Sequence, residues 1–327
     1  MTLRNITRRQ LMRHAAASGV LVTMGPQAIS QTDRPVRLVL PVAAGSGVDA
    51  LTRAIGPALS KSLGHPIVVE NLPGAGGIIG TLALTKSTPD GRTLSIVSNN
   101  HVVFPSVLKS VPFDPLGDIT PISIIGTAPM VLVVNSKLPA IDSKQLIALM
   151  QAKPGLINYA SGGNGTLPHL AAAMFVDEAG VKASHIPYKG VSPMVTDLIG
   201  GQVDFGILSL GAIHAQLKSG ALRAIGVASA ERSAAAPQIP TFKEQGLANF
   251  VIDAWFAVIG PKGIPPAEVA HIHSALTETF RSADVIASMA KQGITVALST
   301  PDQAKAYFRS ELAKYATLVK KAGVEPQ

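Results

Sequence analysis

The stretch that most constrains this chain is Leu38–Asp49, in which an apolar run leads into a loop of small residues and then a helix. The residues before Pro41 are apolar and partly β-branched, which is typical of a buried strand. Pro41 has no amide hydrogen for a strand ladder, so the strand is predicted to end there. Apolar residues at helical spacing follow over 49–63, and Gly64 predicts the end of that helix. The loop therefore joins the carboxyl end of a strand to the N-terminus of a helix.

A loop in this position can bind a ligand, because free backbone amides and the positive end of the helix dipole point at one spot. One hypothesis is a dinucleotide, since Gly45-x-Gly47-x-x-Ala50 matches a degenerate fingerprint and Glu70 follows at about the right distance. Four residues from Pro41 onward argue against a dinucleotide, because they separate the strand from the first glycine and displace the tight turn that a pyrophosphate needs. A glycine turn that binds no ligand is a further alternative to an anion-binding loop.

The first 30 residues are predicted to be an export signal. They carry four arginines and no acidic residue, then a mildly apolar segment, then the small-x-small sequence that ends at Ser30. Residues 7–12 are similar to a twin-arginine signal, and the general secretory route is the alternative. The apolar segment is shorter than the roughly 20 residues that span a bilayer. We therefore expect export to the periplasm, with cleavage near Ser30.

Charge and composition exclude several classes of protein. Four of the 28 basic residues lie in the predicted signal, so 24 basic residues against 20 acidic ones leave a charge of +4. With no run of Lys and Arg interleaved with aromatic residues, this argues against a nucleic-acid partner. The chain has no cysteine, which excludes disulfides and thiol chemistry. Gly-x-Ser-x-Gly, Gly-Lys and His-Glu-x-x-His are also absent. We predict no enzymatic activity, no cofactor and no metal.

The strand–loop–helix pattern recurs along the chain. A strand over 94–97 ends at Ser98-Asn-Asn-His101, and a strand over 157–160 opens into the glycine-rich loop 161–166 before a helix. Strands that alternate with helices predict an α/β fold with a parallel sheet. The lone His101 is interpreted as a hydrogen-bonding wall of a site, with a catalytic base or a metal ligand as the alternatives. Trp255 is assigned equally to the core or to the floor of a cleft.

Several motifs in order resemble one family, the Bug-type extracytoplasmic receptors of tripartite tricarboxylate transporters. The resemblance covers about residues 34–324. The motifs that carry it are Arg34-Pro-Val-Arg-Leu-Val-Leu-Pro41 with Ala44-Gly45 and Asp49, Val69-Glu-Asn-Leu-Pro-Gly-Ala-Gly-Gly-Ile-Ile-Gly80, Pro89-Asp-Gly91, Pro112-Phe-Asp-Pro115, Asp118-Ile-Thr-Pro121, Pro154-Gly155, Tyr159-Ala-Ser-Gly-Gly-Asn-Gly165 with His169-Leu170, Pro187-Tyr-Lys-Gly190, Gly201-Gln-Val-Asp204 and Ala254-Trp255-Phe256.

The resemblance implies an α/β periplasmic binding protein of two lobes, type II-like, a Venus flytrap with mixed, mostly parallel sheets and flanking helices. We predict lobe 1 at 31–127 and 249–327 and lobe 2 at 128–248. The implied function is capture of a small carboxylate between the lobes, where backbone amides, small hydroxyls and ordered water bind it. The receptor would then deliver the carboxylate to the membrane subunits of a transporter of that type. The alternatives are a ligand-sensing partner of a membrane signalling protein and, less favoured, a nucleotide-binding α/β enzyme. The receptor is predicted to be a monomer.

The strand–loop–helix pattern and the family resemblance together predict which residues lie at the ligand. Asp49 is predicted to orient water, to cap the helix, or to meet a donor on the ligand. The complete set is Val42, Ala43, Gly45, Ser46, Gly47, Asp49, Asn100, His101, Ser161, Gly163, Asn164, Gly165, Thr166 and Ser209. Val42, Ser46 and Val48 depart from the residues common in the family, so the identity of the carboxylate stays open.

Overall fold

The computed structural model describes residues 34–321 and 323–326. The predicted export signal lies outside these residues. Within them, no helix is long and apolar enough to cross a membrane.

The described residues form ten strands and ten α-helices. The strands are β1 Val36–Leu40, β2 Ile67–Asn71, β3 Thr93–Ser98, β4 Ile119–Asn135, β5 Asn158–Ser161, β6 Ser184–Pro187, β7 Phe205–Ser209, β8 Leu222–Val227, β9 Asp253–Pro261 and β10 Thr295–Val296. The helices are α1 Gly47–Leu63, α2 Ile78–Thr85, α3 Asn100–Val107, α4 Ser143–Ala152, α5 Leu167–Glu178, α6 Val191–Gly200, α7 Leu210–Lys218, α8 Pro266–Thr279, α9 Ala283–Lys291 and α10 Pro301–Lys321. A short 3₁₀ segment at Ala75–Gly77 precedes α2.

The strands form a mixed sheet in the order β2-β1-β3-β9-β4-β7-β5-β6, with β8 and β10 also paired to β4. The outer strands pair in parallel, β1 with β2 and β3, and β5 with β6 and β7. Each antiparallel pair among the described strands involves β4 or β9. The sheet thus contains more antiparallel pairing than the alternation of strands and helices suggested, because the long strand β4 runs antiparallel to β9 in one half and to β7 and β8 in the other.

Strand β4 divides the molecule. Its first part, up to Pro129, pairs with β9, and from Met130 onward it pairs with β7 and then also with β8. Pro129 cannot donate to a ladder, so the change of partner falls where the strand loses a donor. The predicted lobe boundaries at 127/128 and 248/249 lie near this change and near the start of β9, and the assignment of lobes stays a prediction.

Local signals explain most of the helix ends. Ser46 caps α1, Gly64 ends it in the left-handed conformation at φ +70°, and the helix continues through Pro57. A capping box begins α10, since the Thr300 amide donates to Gln303 Oε1 (2.9 Å) and the Gln303 amide donates to Thr300 Oγ1 (3.2 Å). Residue types close to the helix ends thus explain where α1 ends and where α10 begins.

Helix α3 is not predicted by the sequence pattern, which places residues 98–101 in a loop. The segment from Asn100 contains β-branched valines and Pro105, and it lacks the periodicity of an exposed helix. Burial stabilises it instead, with five of its eight residues buried. Trp255 belongs to the core: it is 1% exposed, its ring packs edge-on against Phe308, and its indole nitrogen donates to Glu311.

Candidate functional site

The loop between β1 and α1 is held in shape by a buried carboxylate. Asp49 accepts from the Gly45 amide (2.9 Å), from Asn71 Nδ2 (3.0 Å) and from Arg53 Nε (3.0 Å). Asn71 Nδ2 also lies 3.3 Å from the Val42 carbonyl. Burial raises the pKa of Asp49, but the hydrogen bonds from Arg53, Gly45 and Asn71 outweigh it and hold the pKa below its usual value. The carboxylate is therefore ionised and fixes the loop.

The helix cap in this loop is Ser46 rather than Asp49. Ser46 Oγ accepts from the Asp49 amide (3.3 Å), which satisfies one of the free amides at the start of α1. Gly45 has φ +80° and no atom within 4 Å of an added side-chain carbon, so glycine is needed there for conformation and not for space. The exposed backbone at Gly45 and Gly47 leaves the N-terminal end of α1 open.

A second loop, 161–166, joins β5 to α5 in the same way. Gly163 and Gly165 have φ values of +133° and +71°, which L-residues rarely adopt. Thr166 Oγ1 donates to the Gly163 carbonyl (2.7 Å), and the Gly163 amide donates to Ser161 Oγ (3.1 Å). These internal bonds fold the loop into a compact turn over the N-terminus of α5.

The two loop systems meet through helix α3. Asn100, the first residue of α3, accepts with Oδ1 from the amide of Leu167, the first residue of α5 (3.2 Å). A side-chain carbon at Gly165 would lie 2.5 Å from Cγ2 of Val107 at the other end of α3. Asn100 also lines a small cavity together with Val42 of the first loop. Helix α3 therefore bridges the first loop and the second.

A third contact brings α7 to the same place. A side-chain carbon added at Gly47 would lie 3.8 Å from Oγ of Ser209, and Ser209 is the N-cap of α7. The N-termini of α1, α3, α5 and α7 consequently converge. Each contributes free amides and a positive dipole end, so together they favour an anion without any basic side chain.

Thirteen of the fourteen predicted residues lie on these loops or helix starts. They are Val42, Ala43, Gly45, Ser46, Gly47, Asp49, Asn100, Ser161, Gly163, Asn164, Gly165, Thr166 and Ser209. Contact of each with a ligand stays a prediction.

His101 is placed differently from the other predicted residues. It is 1% exposed, its Nε2 lies 2.8 Å from the Pro115 carbonyl, and its ring stacks on Phe113. Burial lowers its pKa to about 4. Nδ1 of His101 and Oγ1 of Thr81 have no hydrogen-bond partner, and both residues line a cavity of about 10 Å³, which is enough for one water. The side chain of His101 thus lies behind the first loop and not at its surface.

The residues that support the loops are not among those predicted from the sequence. Arg53 and Asn71 hold Asp49, while His169 and His185 lie behind the second loop. His169 was part of a recognised motif, and its position three residues after the N-cap Thr166 was the available signal, because a side chain there reaches back to the amides of the preceding loop. No group of three or more metal-ligating side chains occurs within the described residues.

Comparison with known proteins identifies the family. Residues 51–324 match the model of the tripartite tricarboxylate transporter family receptor. Protein BugT of Bordetella pertussis is 37% identical over 294 residues, which cover 89% of this chain and 90% of BugT.

Solved structures agree with this match. The periplasmic binding protein BugD has a TM-score of 0.84 and 31% identity, over 90% of this chain and 99% of BugD. Rpa4515 of R. palustris, solved with adipate, has a TM-score of 0.86 and 28% identity, over 90% of this chain and 99% of its own. MatC of Rhodopseudomonas palustris, solved with bound malate, has a TM-score of 0.81 and 26% identity, over 88% and 99%.

These neighbours confirm the predicted two-lobed α/β fold of periplasmic binding proteins. The family and the fold are those of solute-binding receptors. The chain therefore belongs to the receptor family of tripartite tricarboxylate transporters, as a Bug-type member.

Proposed function

We propose that this protein is a periplasmic receptor that binds a small dicarboxylate where its two glycine loops meet and delivers it to a membrane transporter. The observation that carries the proposal is the convergence of four helix N-termini, marked by the Asn100–Leu167 hydrogen bond and the approach of Gly47 to Ser209. Fixed amide dipoles hold carboxylate oxygens with little reorganisation.

The site is suited to reversible binding because its charge comes from the backbone. The loops 41–49 and 161–166 contain no lysine or arginine. Their one ionised group, Asp49, is already occupied by donors of its own surroundings. A carboxylate would enter as the Asn100 side chain leaves the Leu167 amide, so that one acceptor replaces another.

A dicarboxylate is the ligand class that two facing loops favour, since each loop would receive one end of the molecule. Rpa4515 and MatC, whose structures hold adipate and malate, support this choice by similarity. The departures at Val42, Ser46 and Val48 change the wall of the site, so the chain length of the dicarboxylate is left to experiment.

Thermal melting against a panel of ligands tests the binding step. The panel contains malate, adipate, intermediate dicarboxylates, a tricarboxylate, NAD and ATP. A ligand at about 100 times its dissociation constant stabilises the protein by roughly 2.7 kcal/mol, which raises the Tm by about 5 °C for a chain of this size. Stabilisation by a dicarboxylate supports the proposal. Stabilisation by nucleotides alone, or by no carboxylate, contradicts it.

A matched pair of variants locates the site. Gly47→Leu places a side chain over the N-terminus of α1 and should abolish the shift given by the best dicarboxylate. Lys61→Leu adds the same side chain at the opposite, exposed end of α1 and should preserve the shift. If both variants respond as the wild type does, the ligand binds elsewhere. Uptake of the labelled ligand by cells with and without the receptor then tests delivery.

A further inference from the structure

Two histidine rings lie stacked behind the second loop. The rings of His169, on α5, and His185, on β6, are parallel within 6°, and their centroids are 3.9 Å apart. The ring of Tyr159 lies beside both, with its centroid 5.0 Å from that of His185 and 6.3 Å from that of His169. His169 is 8% exposed and His185 is half-buried. Such close parallel stacking suits two neutral imidazoles, because two imidazolium rings at this distance would repel each other strongly.

His169 holds the backbone of the loop. Its Nδ1 accepts from the buried amide of Gly165 (3.0 Å). Nδ1 is therefore unprotonated, and the neutral ring carries its proton on Nε2. A protonated ring would present an N–H to the Gly165 amide, so that two donors would face each other and the hydrogen bond would be lost.

His185 holds the hydroxyl at the start of the same loop. Its Nε2 lies 2.7 Å from Ser161 Oγ, which in turn accepts from the Gly163 amide (3.1 Å). The stacked pair thus contacts the loop at Ser161 and at Gly165, near its two ends. The Leu167 amide, which is proposed to receive a carboxylate, lies two residues after Gly165 at the start of α5.

We propose that His169 and His185 are positioning residues, a neutral stacked pair that fixes the amide geometry of the 161–166 loop from behind the ligand. This inference rests on the proposed function of that loop. Neither ring contacts the ligand in this arrangement. Their effect on binding passes through Gly165 and Ser161.

The surroundings of the pair favour the neutral form. Burial lowers the pKa of His169, and burial together with the charge of His169 lowers the pKa of His185 to about 4. The rings border an open groove of about 690 Å³ whose charged side chains are Lys109 and Glu325, with Tyr159 as a further titratable group. Binding should therefore be independent of pH above the ordinary imidazole range and weaken as acidification protonates the pair.

Two substitutions at His169 separate the hydrogen bond from the ring. His169→Asn keeps an acceptor, Oδ1, at the position of Nδ1, whereas His169→Phe keeps a flat ring without an acceptor. Amide exchange at Gly165 in the ligand-free protein should accelerate about ten-fold in His169→Phe, the effect of one lost hydrogen bond. In His169→Asn it should stay within about two-fold of the wild type, given that the acceptor remains.

The result that overturns the inference is equal Gly165 exchange in the wild type and in His169→Phe. Should His169→Phe not fold, ¹⁵N NMR of the wild type decides, because the inference requires an unprotonated Nδ1 on His169 at neutral pH. A protonated Nδ1 contradicts it. A matched pair of variants makes the same comparison at His185. His185→Gln keeps a polar atom near Ser161, whereas His185→Phe keeps only a flat ring.

Affinity for adipate and malate, measured by calorimetry, links the pair to the site. His169→Phe should weaken the tighter of the two about ten-fold, and His169→Asn should retain it without the loss at acid pH. If the wild type binds neither, the proposed function fails while the exchange experiment still decides the positioning role. If it binds and both variants bind equally well, the positioning role is refuted.

Discussion

A single methyl group at Gly165 should obstruct the approach of the two loop systems. In the structure, an added side-chain carbon at Gly165 would lie 2.5 Å from Cγ2 and 2.9 Å from Cβ of Val107. Val107 ends α3, which follows the first part of the sheet, while Gly165 lies in the loop after β5. We therefore expect Gly165→Ala to weaken binding of the dicarboxylate more than it destabilises the fold.

The magnitude has two parts, which a control separates. Alanine at φ +71° costs about 1–2 kcal/mol in backbone strain. Gly155 has φ +75° with no atom within 4 Å of an added carbon, so Gly155→Ala carries the strain alone. The clash with Val107 adds about 1–3 kcal/mol. Where this clash acts only as the two loops approach each other, the affinity for the dicarboxylate falls about 10- to 100-fold.

Calorimetric titration and thermal melting are carried out on Gly165→Ala, Gly155→Ala, Val107→Ala and the double variant of Gly165 and Val107. Val107→Ala removes both γ-methyl groups, including the atom at 2.5 Å, and leaves the contact with Cβ at 2.9 Å. Gly165→Ala combined with Val107→Ala should therefore regain most of the affinity of Val107→Ala alone. Equal affinity of Gly165→Ala and Gly155→Ala would refute the steric reasoning. Failure of Val107→Ala to rescue affinity would show that Gly165→Ala acts through strain in its own loop.

Three further predictions concern groups that support the site or the core. Asp49→Ala leaves the Gly45 amide without its acceptor and should lower the Tm by about 3 °C and weaken dicarboxylate binding; an unchanged affinity would exclude loop positioning by this carboxylate. Trp255→Phe removes the indole donor to Glu311, which is 5% exposed, and should reduce the free energy of unfolding by about 2 kcal/mol, measured by urea titration. The lowered pKa of His101, about 4, means that the unfolded state binds a proton first as pH falls. Stability is then complete above about pH 6.5 and falls by roughly 3 kcal/mol by pH 4; His101→Phe should flatten the pH dependence of the urea midpoint.

Local chemistry explains why the loops were predictable. The β1 strand ends at Pro41 and α1 ends at Gly64 because proline lacks a donor and glycine adopts positive φ. The capping box at Thr300 and Gln303 involves residues three apart. Each of these features depends on a few adjacent residues, so the sequence specified it before any tertiary contact formed.

Other parts of the site depended on distant residues. Helix α3 was missed since burial, not periodicity, stabilises it. His101 was expected at the surface of the site, but its ring packs against Phe113 behind the first loop. Nothing near His101 in the sequence indicates which side of the helix will be covered, because the covering residues come from other elements.

By itself, the sequence determined that two loops with free amides would each follow a strand and precede a helix, and its motifs determined the family. Only the tertiary structure decided which groups support those loops. Asp49 and Asn71 are 22 residues apart, and Asn100 and Leu167 are 67 apart. Their contacts follow from the order of strands in the sheet and from the passage of β4 between its two halves. Strand order is a property of the packed chain, and no local pattern of apolar and polar residues encodes it.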